Sequence, residues 1–188
     1  MAEKKPRILN DSRDMVWSII PLLVICVIIA GIAGSCSWGF GTDAAKQSIP
    51  SFDSGAAFTA DARTLPFEIR EPAVPAGWQS NSGTTTTVGN SLTSNVGWIT
   101  ESGNFVQLSQ SQATEEGLVR NLGGDGVLGT GTAEAGGRTW ITYANESEDR
   151  LVWITDLGNV RIGLLGRGDN PPLDVLATAT LRAQPLAK

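Results

Sequence analysis

The sequence predicts an α+β protein: an N-terminal transmembrane helix, then an antiparallel sheet with two main helices packed on it. Three observations predict it. Met15–Ala33 is an apolar run without a charge. From Thr64 onward, short runs with a period of two are broken by Gly, Asn and Pro, the pattern of strands joined by tight turns. Two later stretches carry apolar residues at helical spacing behind capping residues. The implied organisation is a tail over 1–14, a membrane anchor over 15–35, a linker over 36–63 and an extracytoplasmic domain over 64–188.

The run "MVWSIIPLLVICVIIAGIA" holds one hydroxyl and no charge. As a helix it would be about 28 Å long, close to the roughly 30 Å hydrocarbon core of a bilayer. Trp17 and Trp38 bracket it, as rings at the two membrane interfaces would. Pro21 lies near its start, where a missing N–H costs least. Lys4, Lys5, Arg7 and Arg13 precede the run, and only Lys46 follows it closely. The positive-inside rule then puts the N-terminus in the cytoplasm and the domain outside. Three fates stay open. The length and the acidic residues of the tail favour an uncleaved signal anchor. Cleavage near Ser35 is the second. Lipidation of Cys36 is the third, with Ala33 standing where such sites usually have Leu, Val or Ile.

Charged residues make up 18% of the chain, against about 25% in soluble proteins, in keeping with a membrane segment. Residues 1–36 carry four basic and three acidic side chains, a net of +1, and the remainder ten and sixteen, a net of −6. An acidic domain argues against nucleic acid, which needs a basic surface. The only cysteines are Cys26 and Cys36, and there is no His. Histidine-based triads, the usual zinc ligands and a thiol nucleophile in the domain are therefore excluded. No catalytic residue, metal or cofactor is assigned. The glycine-rich stretch 123–137 has no G-K-[ST] and reads as a mobile surface loop. "NESED", residues 145–149, clusters Glu146, Glu148 and Asp149 without calcium-loop spacing and reads as a solvated turn.

In the linker, Asp53 or Ser54 would cap a short helix carrying Phe58, Ala62 and Leu65 and ended by Pro66. It is either a docking helix that sets the distance from the membrane or, the favoured reading, the first packed element of the domain. Strands are expected at 67–70, 78–88, 96–100, 105–110, 139–143, 151–155 and 160–165. One helix opens at Thr114, with Glu115 and Glu116 complementing its dipole, and stops at Gly123-Gly124. A second opens at "DNPP" with Asp169 or Asn170 as cap and the prolines in its first turn, carries Leu173, Leu176, Ala177 and Thr180, and is closed by Pro185.

The chain also repeats itself. "WITESGN" from Trp98 returns as "WITDLGN" from Trp153. In both copies the spacing fits a hairpin on a type I turn with Gly in the left-handed position. The offset of 55 extends to Thr84/Thr139, Thr87/Thr142, Asn90/Asn145, Thr114/Asp169 and Leu118/Leu173. It implies two similar strand–hairpin–helix units with the helices on one face of the sheet. Against duplication, Phe105, Gln107 and Ser109 do not match Val160, Ile162 and Leu164 as a buried face. In both copies Trp alternates with Thr. If Ile99 and Ile154 face the helices, Trp98, Thr100, Trp153 and Thr155 form an outer binding surface; otherwise they are core.

Together, "EKKPRILNDSRDM", "VPAGWQSNS", "VGWITESGNFVQLSQS" and "LVWITDLGNVRIGLLG" resemble an actinobacterial family of single-span membrane proteins, the domain of unknown function 4245. The resemblance covers nearly the whole chain. It implies a cell-envelope protein and brings no activity or site residues. "LPFEIREPAVPAGW" is also similar to the starts of small secreted α+β domains of the photosystem-accessory type, a likeness of fold alone. The expectation is a membrane-tethered, non-enzymatic binding or accessory module whose partner is an envelope protein or cell-wall component. The alternatives are a glycan hydrolase using two carboxylates in an exposed cleft and a carrier with an apolar cavity between sheet and helices.

Overall fold

The computed structural model of the chain describes residues 17, 19–26, 28 and 52–188. The chain divides into two units, Met1–Gln47 and Ser48–Lys188. In the first unit the described residues are helical, and Trp17, Ile19, Ile20, Leu22–Ile25 and Ile28 expose their apolar side chains. Among the described residues no helix is long and apolar enough to cross a membrane. Trp38, Cys36, the basic residues of the tail and the ends of the Met15–Ala33 run lie outside the described residues.

The second unit is one seven-stranded sheet, every neighbouring pair antiparallel. Its elements are helix α1 (Ser54–Thr64), strands β1 (Gln79–Val88), β2 (Ser91–Ile99) and β3 (Phe105–Ser111), helix α2 (Glu115–Gly123), strands β4 (Leu128–Ala135), β5 (Arg138–Asn145), β6 (Arg150–Asp156) and β7 (Arg161–Arg167), and helix α3 (Leu173–Arg182). The order across the sheet is β1-β2-β3-β7-β6-β5-β4. Two meanders thus meet at β3 and β7.

Local chemistry places the helices. The Asp53 side chain accepts the Ala56 N–H and starts α1, satisfying one of the helix's orphan donors. Thr114 does the same for α2 through the Gly117 N–H, and Gly124, at φ +77°, ends it. α3 begins later than the sequence suggests. Pro172 is its N-cap and makes no side-chain cap bond. Asp169 and Asn170 do not cap it; their carbonyls accept from the Asn104 amide instead. Pro171 packs where a Cβ on Gly166 would lie, so it seats the chain on the sheet before the helix starts.

The helices cover both faces, which corrects the expectation of one. Phe58 and Ala62 of α1, with Leu173, Leu176 and Ala177 of α3, join Val96, Trp98, Val106, Leu108, Trp140, Ile162 and Leu164 in the larger core. Leu118, Val119 and Leu122 of α2 pack on Val152, Ile154 and Leu165 from the opposite side. The cause is register. Leu108 pairs with Leu164 on one face, whereas the offset of 55 equates Leu108 with Gly163. Trp98 pairs with Val106, but Trp153 pairs with Leu164, three residues further from its turn. The units share an order of elements, β1-β2-β3-α2 and β5-β6-β7-α3, but not a buried face.

The turns differ accordingly. In the first hairpin the Gly103 N–H donates to the Thr100 carbonyl and the Thr100 N–H to the Asn104 carbonyl, both at 2.9 Å, with Gly103 at φ +81°. That is the expected type I turn with a glycine bulge. In the second, the Gly158 N–H donates to the Asp156 carboxylate at 2.7 Å, an Asx turn.

Two other expectations fail. Residues 67–70 form no strand; Arg70 makes one isolated bridge to Pro185, and its N–H and C=O are both held by the Gln110 carboxamide at 2.9 Å. The glycine-rich stretch contains the edge strand β4, with a bulge between Gly129 and Gly131. An edge strand needs one partner and little burial, so its sequence carries no apolar alternation.

Candidate binding cleft

The four residues expected on an outer face do not form one. Trp98 is 1% exposed, stacked on Phe58 with ring centroids 6.2 Å apart. Thr100 and Thr155 are buried. Thr100 serves its turn, its hydroxyl accepting the Asn104 N–H, and the Thr155 hydroxyl donates to the Thr139 carbonyl. Trp153 is half-buried against the larger core, tilted on Trp140. Ile154 does face a helix, α2, but α1 and α3 cover the tryptophan face. Trp17 is exposed.

The open space lies at the rims of the sheet–helix interfaces. One cleft, of about 600 Å³, is bounded by α2, the turn 124–127, the start of β4 and Tyr143 of β5. Val119, Val127 and the Tyr143 ring make an apolar floor, and Leu128, 71% exposed, stands at the mouth. Glu115, Glu116 and Asp125 supply three carboxylates to the rim, and Arg120 the one cation. Arg120 is already engaged, 2.8 Å from Glu116 one turn back. The cleft therefore presents an apolar base beneath an acidic rim.

Tyr143 is the chain's only tyrosine. Its hydroxyl donates to the Glu115 carboxylate. Burial first, then the hydrogen bond and charge of Glu115, push its pKa up to about 12. Each disfavours the phenolate, so at neutral pH Tyr143 is a donor and not a base. The sign for stability follows. A folded pKa raised above the unfolded value near 10 stabilises fully below pH 10, and that contribution is lost as pH rises through 12. Ultraviolet titration should show one phenol ionising near pH 12, and Tyr143→Phe should abolish the fall in stability over that window. A midpoint near 10 would contradict the Glu115 pairing.

The acidic cluster at 146–149 has structural partners. Glu148 pairs with Arg150 at 2.6 Å, and the Asp149 carboxylate accepts the Gly168 N–H at 3.0 Å. Among the described residues no group of His, Cys, Asp and Glu could hold a metal ion.

From the sequence, Glu115 and Glu116 are read only as dipole partners and 124–129 only as loop. The signal lies in their combination with Tyr143, which the packing of α2 against β5 and the pairing of β4 with β5 bring beside them. No curated protein and no solved structure matches the chain. The family model described as Protein of unknown function (DUF4245) matches residues 7–180, and the chain belongs to that family.

Proposed function

We propose that this chain is a single-span membrane protein that holds a non-enzymatic binding module outside the cytoplasmic membrane, its acidic cleft docking a basic side chain of an envelope protein. The observation that carries the reading is the cleft itself. An apolar floor beneath three carboxylates suits the aliphatic stem and charged head of Lys or Arg. The anchor rests on the length and neutrality of Met15–Ala33 and the charge asymmetry around it. A helix apolar on all sides needs lipid or protein around it. Tethering raises the effective concentration of even a weak binding site.

The three carboxylates also favour a second reading, glycan hydrolysis. A general acid of that kind needs a shielded carboxyl. Glu116 is exposed and paired with Arg120, and Glu115 is engaged by Tyr143, which ranks catalysis second.

Cross-linking of intact cells with a membrane-impermeant reagent tests the reading. A partner captured by the wild-type chain should be lost roughly tenfold or more when Glu116→Lys and Asp125→Lys reverse the rim, since like charges across an interface cost several kcal/mol. Unchanged capture contradicts docking in the cleft. Turnover of an envelope glycan by the purified protein contradicts the non-enzymatic reading.

A further inference from the structure

Helix α2 divides its face of the sheet in two. The acidic cleft lies on the β4–β5 side. On the β1–β3 side lies a groove of about 270 Å³ of the opposite character, lined by two guanidinium groups and by no carboxylate. Arg150 opens β6 and Arg167 closes β7. One step beyond the Leu151↔Gly166 pair, the register sets them opposite each other, on the face that carries Val152 and Leu165. Like charges directly across a ladder are destabilising. Only one is compensated. Glu148 reaches Arg150 from outside the groove. The Arg167 side chain has no ion-pair or hydrogen-bond partner among the described residues, whereas Arg150 also donates to the Leu122 carbonyl at 2.9 Å and its Nε is buried.

The floor is polar and partly committed. The Asn95 amide donates to the Thr86 hydroxyl at 3.0 Å and to the Thr84 and Thr93 carbonyls at 3.3 and 3.2 Å, and its oxygen accepts from Gln107 at 3.2 Å and Ser109 at 2.7 Å. Asn95 is thereby saturated. The Gln107 oxygen, the Thr84 and Thr86 hydroxyl protons and the whole Asn121 amide are left for a ligand. Hydroxyl and amide groups of both polarities beside a free guanidinium match an oxyanion carried on a hydroxylated body. Guanidinium forks bind carboxylate and phosphate bidentately.

We propose that this groove binds one acidic sugar unit, its oxyanion on Arg167 and its hydroxyls on Gln107, Asn121 and the β1 threonines. The inference goes beyond the acidic cleft and does not depend on it, because substitutions at Arg167 leave that cleft untouched.

Calorimetric titration of the full-length protein in detergent tests it, with glucuronate, glucose 6-phosphate, glucose and inorganic phosphate as probes. One of the two charged sugars should bind saturably, with glucose and bare phosphate each roughly tenfold weaker or more. Which charged sugar binds identifies the oxyanion. Arg167→Gln should lose roughly tenfold or more, while Arg120→Gln, the same charge change on the other side of α2, should bind as wild type. Without ligand, Arg167→Gln should unfold no lower than wild type, because like-charge repulsion is relieved. Should it misfold, Arg167→Lys decides, since it keeps the charge and loses the fork; its binding should weaken. Saturation by neither charged sugar overturns the proposal. So does equal binding of glucose or of bare phosphate, or an Arg167 variant that binds as Arg120→Gln does.

Discussion

Trp98→Ala should destabilise the folded unit by about 3–5 kcal/mol, the range for emptying a buried aromatic site. Trp98 is among the largest fully buried side chains. Its ring stacks on Phe58, so it holds α1 onto the sheet. Loss of a large part of the roughly 5–15 kcal/mol that stabilises a typical domain should appear as a large drop in the urea midpoint. Trp98→Phe should cost far less, about 1 kcal/mol. It keeps an aromatic ring against Phe58 and removes an indole N–H that has no acceptor. Urea unfolding of a chain beginning at Ser48 measures both. A cost below about 1 kcal/mol for the alanine variant would put Trp98 back on the surface.

Gln110→Leu should cost roughly 2–4 kcal/mol, although it puts an apolar side chain of comparable volume at a buried position. Leaving a buried donor or acceptor unpaired costs about 1–3 kcal/mol, and this side chain satisfies one of each. Its carboxamide accepts the Arg70 N–H and donates to the Arg70 carbonyl. The pair stands in for a strand ladder along a segment that has no strand beside it. Gln112→Leu, two residues on and exposed, is the control and should stay within about 0.5 kcal/mol of wild type. Equal effects at the two positions would show that the Arg70 segment is held by packing alone.

These two residues also mark where the sequence stops being legible. The α+β class, the hairpin at Thr100–Asn104 and the starts of α1 and α2 could be read because each depends on neighbours within a few residues. Asp53, Thr114 and Gly103 announce caps and a left-handed turn in their own chemistry. Gln110 announces nothing, because its partner is 40 residues away. β4 was hidden because an edge strand rich in Gly and Thr has no apolar alternation to detect. The repeat is clear in letters and points to helices on one face, yet β7 slips by an odd number of residues relative to β3. In a strand that slip exchanges the two faces. The same slip removed Trp98, Thr100 and Thr155 from the expected surface, since α3 and α1 landed on the tryptophan side. The cleft at Glu115, Asp125 and Tyr143 needs the packing of α2 on β5 beside the β4–β5 pairing, and the groove at Arg150 and Arg167 needs the β6–β7 register. Both follow from contacts between distant elements and not from any local motif.

The most direct test of the central claim, a membrane-held module facing outward, is cysteine accessibility in intact cells. With Cys26 and Cys36 replaced by serine, Lys188→Cys places one thiol at the exposed C-terminus of the folded unit, and Lys5→Cys in a second chain places one in the tail. A membrane-impermeant maleimide should label Lys188→Cys before permeabilisation and Lys5→Cys only after it, with both chains recovered in the membrane fraction. The reverse labelling, or recovery of the intact chain in the soluble fraction, would contradict the account.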